Sequence, residues 1–439
     1  MNAAANMAQK AMGDEPVTLT KEKDIKTRPG LTQRACVWRG KEKVEVIDAQ
    51  VPDVTDPQDA IVRITGSTLC GSDSHIFKGE IPQMTSGDIL GHEACGIVES
   101  VGPDVRSDLK PGQRVVVSFS IACGTCRYCK EGLTTHCNNT NPSTVQGELY
   151  GSHTSAIFGY SGFVGPFSGG QAEWIRVPFA NTNLLPVPDD VPDEKALYLS
   201  DIVCTSYHAV IDTGCQAGET VGVWGAGPIG LMACQWLKNV IKVDRLICVD
   251  GEPDRLALAA KLGAETINYK DHKDIVAYVR EQVPNGLDRA IDCTGGRFAM
   301  GMLHKIERAV GLETDTPEIV EIEMKCLRKM GTLGLIQDMA AYSNHFPIGL
   351  VMMKAIRLIG CGQAPVQKYW KKLLEYIRDG TVDPTLILTH RITLEDLPKA
   401  YAAFTNHKMH FLKCFIETKF SQPRAAGTPE LYKGNWDTA

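Results

Sequence analysis

Four cysteines, Cys123, Cys126, Cys129 and Cys137, stand in the spacing C-x2-C-x2-C-x7-C. Thiolates so arranged can wrap one tetrahedral zinc ion, and four of them leave no coordination position open, so the predicted centre is structural. A nucleic-acid zinc module fits poorly, because only Arg127 and Lys130 add positive charge nearby and the chain carries a net charge of -6. A second pattern is Gly225-Ala226-Gly227-Pro228-Ile229-Gly230. Alone it is weak in a chain with 41 glycines. Here it follows a predicted strand, Thr220–Trp224, and opens a predicted helix, and Asp250 closes the next strand at the spacing of a dinucleotide-binding fingerprint. Gly225 and Gly227 would let the backbone turn and approach a pyrophosphate, and the helix N-terminus would offer it free N–H groups. Asp250 would accept hydrogen bonds from the adenosine ribose and repel a 2′-phosphate. NAD is therefore favoured over NADP, although Arg255 could offset part of that repulsion. The alternative is an empty tight turn. A third set is diffuse. Cys70, His92 and Glu93 fall in loops at strand ends, and Asp201 opens a helical stretch. A cysteine, a histidine and a carboxylate could hold zinc with one position open, with Glu93 behind them or as an alternate ligand. Spacing alone does not single this set out, since a lone loop histidine more often has a structural role.

The elements that must position these residues follow from patterning. The 439 residues predict two or three domains with ample core. Apolar residues make up 43% and charged residues 22%, which excludes wholesale disorder and a disulfide miniprotein. The acidic balance, with a pI near 6.0, argues against nucleic-acid and membrane-surface partners. No apolar run is long enough for a membrane span, and Met1 to Val17 lacks a secretory h-region. Trp436-Asp437-Thr438-Ala439 is neither a prenylation box nor a peroxisomal signal. An odd total of 15 cysteines argues against a disulfide framework, and a cytoplasmic protein is expected. Residues 1–30 are polar and read as a loose tail. From Ala35 to Val117, short β-branched runs such as Lys43–Ile47, Ala60–Gly66, Ala94–Val101 and Arg114–Val117 predict an antiparallel, barrel-like domain. Asn138–Gly170 reads as a long loop containing Tyr150, Phe158, Tyr160, Phe163 and Phe167. Beyond Asp201 strands and helices alternate (Thr220–Trp224, Ile229–Leu237, Leu246–Asp250, Arg255–Leu262, Glu265–Asn268, Leu287–Asp292, Thr332–Leu335), predicting a doubly wound parallel sheet. Residues 297–323 interrupt the rhythm as an insertion. An amphipathic helix at Val366–Arg378, a short helix at Leu394–Phe404 and a strand near Lys413–Ile416 end the chain.

The string Gly91-His92-Glu93-x2-Gly96-x5-Gly102, preceded by Cys70-Gly71-Ser72-Asp73-x-His75, resembles the zinc-containing medium-chain alcohol dehydrogenases. The four-cysteine lobe and GAGPIG stand in that family's order, and the resemblance runs from about Ala35 to Ile416. Phe119-x3-Cys123-Gly124, Gly169-Gly170-Gln171-Ala172-Glu173 and Leu199-Ser200-Asp201-Ile202 look like its glutathione-independent formaldehyde dehydrogenase and dismutase branch, which the segment after Gly296 also fits. The resemblance implies a GroES-like catalytic domain over residues 31–202 and 363–439 and a Rossmann NAD-binding domain over 203–362. It implies two zinc ions per chain. Cys70, His92 and Asp201 match the catalytic zinc ligands, with aspartate where many relatives have cysteine. Ser72 and His75 match a relay that carries the alcohol proton to solvent, Thr205 a contact to the nicotinamide, and Phe119 a wall of the substrate pocket. His208 shares the Thr205 face but reads as structural. Lys413 lies near a position that contacts the pyrophosphate. The expected activity is hydride transfer between NAD and a primary or secondary alcohol, in a homodimer or homotetramer. Alternatives are the formaldehyde enzyme, a zinc-free reductase on the same fold, and a nucleotide-binding relative without turnover.

Overall fold

The computed structural model describes residues 19–295, 301–309, 314–337, 339, 342–406 and 408–436. Its contacts divide the chain into two units, Met1–Cys204 with Pro365–Ala439, and Thr205–Ala364.

The first unit is built on a sheet in the order Leu388–Thr393, Lys413–Glu417, Ala60–Ser67, Ala94–Val101, Arg114–Val117, Leu184–Pro186, with Trp174–Val177 also pairing Ala60–Ser67. The pairings are antiparallel except Leu388–Thr393 with Lys413–Glu417, which run parallel. β-Branched residues suit this pleated, half-buried surface. Ala60, Val62 and Ile64 on one strand pack with Val98, Val115 and Val117 from its neighbours. Part of the segment expected to be a loose tail is ordered. Thr27–Gly40 is a strand paired antiparallel with Lys43–Pro52, and Arg28 reaches Glu99 at 2.5 Å. Its first residues are largely exposed, so no apolar alternation marked them as strand. Residues 1–18 of the expected tail lie outside the described residues.

The segment Asn138–Gly170 is also more structured than a loop. It contains a helix, Thr144–Tyr150, capped by the Ser143 side chain on Gln146 N and ended by Gly151 at φ +70°. A short strand, Ala156–Ile157, pairs with Ser120–Ile121. These elements are too short for periodicity to reveal them.

The second unit holds a parallel sheet in the order Glu265–Asn268, Arg245–Asp250, Thr220–Trp224, Leu287–Asp292, Leu327–Leu335, Arg357–Gly360. In chain order that is 3-2-1-4-5-6, the dinucleotide-binding arrangement. The expected helix Ile229–Leu237 is an α-helix over Pro228–Gln235 that widens into a π-helical turn at Trp236–Ile241, where Trp236 Nε1 donates to Ser206 Oγ at 3.0 Å. The region expected to be an insertion is described at 301–309 and 314–323, with 296–300 and 310–313 outside the described residues. Its later part is ordinary crossover. Helix Glu318–Cys326 buries Val320 and Met324 with Leu287, Ala290 and Leu333 of the sheet. Its acidic sequence hid that role. Among the described residues, no helix is long and apolar enough to cross a membrane.

Candidate functional site

The four cysteines of the first pattern converge, with ligand atoms all within 4.8 Å of one another. Cys123 Sγ lies 4.0 Å from Cys129 Sγ, and Cys126 Sγ lies 3.9 Å from Cys137 Sγ. The sequence turns tightly here. Cys126 precedes the short helix Arg127–Lys130, and the backbone N–H groups of Thr125 and Cys126 both donate to Cys123 Sγ at 3.4 Å. Asn139 Nδ2 donates to the same sulfur at 3.4 Å. Hydrogen bonds from the neighbouring thiols, Cys126 foremost, hold the Cys123 thiol below the usual range, while Cys129, facing Cys123, is pushed up. Without a cation, four thiols this close oppose full ionisation. A divalent ion removes the conflict, and the donor set suits zinc.

The second cluster joins residues far apart in the chain. Cys70, His92, Glu93 and Asp201 also bring ligand atoms within 4.8 Å of one another. Cys70 caps helix Gly71–Phe77, where Asp73 Oδ2 accepts its backbone N–H at 2.8 Å. His92 is 4% exposed, just ahead of strand Ala94–Val101. Its Nε2 faces Asp201 Oδ2 at 3.4 Å and Glu93 Oε1 at 3.8 Å, and its Nδ1 faces Asp73 Oδ1 at 3.7 Å. His92 Nδ1, Asp73 Oδ1 and Glu93 Oε2 are buried without hydrogen-bond partners among the described residues. Burial alone would disfavour a charged imidazole. Asp201 first, then Asp73 and Cys70, outweigh it and raise the His92 pKa well above its ordinary value. The site thus draws positive charge toward His92 Nε2, and a divalent cation meets that demand with a cysteine, a histidine and a carboxylate.

The remaining expected site residues are distributed as follows. Ser72 and His75 lie in helix Gly71–Phe77 at i and i+3, on one face. His75 Nδ1 pairs with Glu80 Oε2 at 2.6 Å. Phe119, 5% exposed, stands edge-on to His92 with ring centroids 6.4 Å apart. The aromatics of the 138–170 segment divide. Phe158 and Phe167 enter the core, and Tyr150 packs on Phe163. Tyr160 stands edge-on to His92 at 6.2 Å. Gly159 makes this possible. It sits at φ +56°, and a Cβ there would lie 2.5 Å from the Gly91 backbone, so only glycine lets the segment press against the loop that carries His92. The ammonium of Lys413, a residue expected near a pyrophosphate contact, is 1% exposed and ion-paired with Glu93, beside Cys70 and Asp201. A single strand residue gave no sign of this pairing with a loop so distant in sequence.

In the second unit Gly225 turns in the left-handed region at φ +89°, and Pro228 starts the helix behind Gly227, while Ile229 and Gly230 form its first turn. A Cβ on Gly227 would meet nothing within 4 Å, so that backbone faces open space. Asp250, 9% exposed, accepts Ala226 N on Oδ2 at 2.6 Å and Glu252 N on Oδ1 at 2.8 Å. The Asp250 carboxylate is thereby tied to the glycine turn, and each oxygen keeps a lone pair for a further hydrogen bond. Arg255 lies in helix Pro253–Lys261. Thr205, 7% exposed, lies in helix Ile202–Asp212, which begins directly after Asp201, and His208 of the same helix faces Asp212 at 3.9 Å. Sequence reasoning missed Asp73, Glu80 and the Glu93–Lys413 pair as parts of the site. Asp73 alone carried a signal, since it stands three residues beyond Cys70 at the capping-box position.

Comparison with known proteins extends these observations. Residues 56–189 match the alcohol dehydrogenase GroES-like domain, and residues 228–306 match the zinc-binding dehydrogenase domain. A zinc-type alcohol dehydrogenase-like protein of Schizosaccharomyces pombe is 42% identical over 95% of this chain and 98% of its own. A glutathione-independent formaldehyde dehydrogenase of Pseudomonas aeruginosa is 34% identical over 84% of this chain and 94% of its own. The solved structure of an alcohol dehydrogenase from Thermus sp. ATN1 superposes with a TM-score of 0.74 at 32% identity, covering 88% of this chain and 99% of that one.

Proposed function

The chain belongs to the zinc-containing medium-chain alcohol dehydrogenase family and is an oxidoreductase of alcohols and aldehydes that uses zinc and a nicotinamide dinucleotide; on that premise we propose how its residues divide the work. NAD is the cofactor. One zinc is catalytic, held by Cys70, His92 and Asp201, and a second is structural, held by Cys123, Cys126, Cys129 and Cys137. The substrate is a primary or secondary alcohol, or its aldehyde or ketone. The observation that carries this reading is the convergence of Cys70, His92, Glu93 and Asp201 on one buried point with orphaned polar atoms around it.

Zinc when bound supplies Lewis acidity that lowers the pKa of an alcohol hydroxyl, and the nicotinamide accepts the hydride. The protein's part is orientation and proton movement. Asp73, facing His92 Nδ1, keeps the proton on that nitrogen and leaves the Nε2 lone pair toward Asp201 and Cys70. Ser72 Oγ accepts the alcohol proton while passing its own to His75. Because the Glu80 carboxylate only accepts, it fixes the His75 proton on Nδ1 and leaves Nε2 as the base. Lys413 balances the buried Glu93 carboxylate. Phe119 and Tyr160 stand edge-on to His92, and Thr205 would contact the nicotinamide. Gly225, Gly227, Pro228, Ile229 and Gly230 present the helix N-terminus to the pyrophosphate. Asp250 and Arg255 would hold the adenosine ribose. The fifteen cysteines, none of them in a disulfide and thirteen of them buried, support a reducing cytoplasmic setting, and we assign a homodimer or homotetramer. Metal analysis of the purified protein together with NAD and NADP reduction across an alcohol panel tests the reading. Two zinc ions per chain and a higher kcat/KM with NAD are expected. One zinc per chain in active protein removes one site, and preference for NADP overturns the role of Asp250.

Aspartate at position 201 and the 34% identity to a formaldehyde dehydrogenase favour a second reading, formaldehyde oxidation or dismutation at the same centre. Equal formation of formate and methanol from formaldehyde without net NADH would establish it.

A further inference from the structure

The edge of the parallel sheet beside Asp250 carries charges that the proposed mechanism leaves without a role. Strand Arg245–Asp250 runs in register with Glu265–Asn268, so that Asp250 lies opposite Asn268. The chain beyond each strand therefore emerges at the same end. The next residues on one side are Gly251 and Glu252, and on the other Tyr269 and Lys270. The two sides touch closely at Gly251. A Cβ there would lie 2.7 Å from Lys270 Cε and 2.8 Å from the Tyr269 ring, so any side chain at position 251 would displace both. Lys270 is thus laid across the Asp250–Gly251 turn, and its ammonium is held by Glu252 Oε1 at 2.9 Å. The pair is half-exposed at 51% and 53%, so it adds little to stability. Its effect is on charge. Glu252 N also donates to Asp250 Oδ1 at 2.8 Å, which fixes this carboxylate-bearing residue against the ribose-reading one.

We propose that Glu252 and Lys270 form a specificity pair for the dinucleotide, in which Glu252 cancels a lysine that would otherwise receive a 2′-phosphate. This inference rests on the reading of Asp250 as the ribose acceptor and goes one step beyond it. Discrimination against a 2′-phosphorylated adenosine then has two parts: repulsion by Asp250, and occupation of Lys270 by Glu252. Lys270 is placed to serve either nucleotide chemistry, and Glu252 decides which.

The test is calorimetric binding of 2′,5′-ADP and 5′-ADP to the full-length, zinc-loaded protein and to Glu252→Gln, Lys270→Ala and the double variant. Glutamine keeps the length of Glu252 and its backbone bond to Asp250 while removing the charge. Glu252→Gln is expected to bind 2′,5′-ADP about five- to tenfold more tightly, the scale of one exposed charge contact, with 5′-ADP changed less than about twofold. The gain must vanish in Glu252→Gln/Lys270→Ala. The ratio of kcat/KM for NADP to that for NAD should rise in the same order. Unchanged 2′,5′-ADP affinity in Glu252→Gln overturns the proposal, as does a gain that survives loss of Lys270, which would assign it to Arg255 or to the lost negative charge alone. Failure of the underlying reading looks different: the unmodified protein would itself bind 2′,5′-ADP more tightly than 5′-ADP.

Discussion

Replacing Asp73 by asparagine isolates the support behind His92. Asp73 does two things with its two oxygens. Oδ2 accepts the Cys70 backbone N–H at 2.8 Å, and Oδ1 faces His92 Nδ1 at 3.7 Å and has no hydrogen-bond partner among the described residues. Asparagine retains one acceptor for Cys70, so the start of helix Gly71–Phe77 stays capped. Its Nδ2 then meets His92 Nδ1, donor against donor. The imidazole must shift its proton to Nε2, the nitrogen turned toward Asp201 at 3.4 Å, and lose the lone pair a metal needs. Partners of this kind are worth about 10- to 100-fold in metal affinity, or roughly 1.4–2.8 kcal/mol. Zinc competition against a chromophoric chelator at pH 7.5 should show one of two zinc ions weakened by that factor in Asp73→Asn, with the thermal midpoint nearly unchanged. Asp73→Ala should differ. It frees the imidazole to choose its tautomer but strands the buried Cys70 N–H, a loss of about 1–3 kcal/mol in stability. An Asp73→Asn protein that keeps both zinc ions at native affinity and full kcat would refute the argument.

Cys126→Ser should remove one zinc per chain and lower the thermal midpoint while leaving kcat close to native below the transition, because a closed site offers the substrate no coordination; a kcat that falls in step with metal content would contradict this. Tyr160→Ala removes the ring that stands edge-on to His92, and kcat/KM should rise along primary alcohols by about fourfold for each methylene newly buried; an unchanged chain-length profile would place Tyr160 outside the substrate path. Asp292, fully buried at the end of strand Leu287–Asp292, has its pKa pushed up to about 6 by burial. Between the ordinary carboxylate range and pH 6 the folded chain keeps a proton that the unfolded chain has lost, so the stability present in acid is lost as pH rises through about 6. Asp292→Asn can keep both bonds from Thr294 and should therefore stabilise the protein by about 2 kcal/mol more at pH 7.5 than at pH 4.5; equal unfolding midpoint shifts at the two pH values would count against it.

What the sequence determined by itself was local. The lobe from Cys123 to Cys137 closes within fifteen residues, and GAGPIG with Asp250 spans one strand, one helix and the next strand. In both, short-range spacing already limits where the side chains can go. The parallel alternation beyond Asp201 was legible for the same reason, since each strand and helix carries its own period. The cluster around His92 is of another kind. Cys70, His92 and Asp201 are far apart in sequence, and only family resemblance joined them before the sheet brought them within 4.8 Å. Tyr160 reached His92 because Gly159 packs on Gly91, a contact between two loops that no periodicity encodes. Lys413 pairs with Glu93, 320 residues away in the chain. The strand beginning at Thr27 was hidden because its exposed residues look like any polar tail until Lys43–Pro52 pairs with them. Local spacing constrains neighbours through bond geometry, whereas long-range neighbours are chosen by sheet register and close packing, and these exist only once the whole chain has folded.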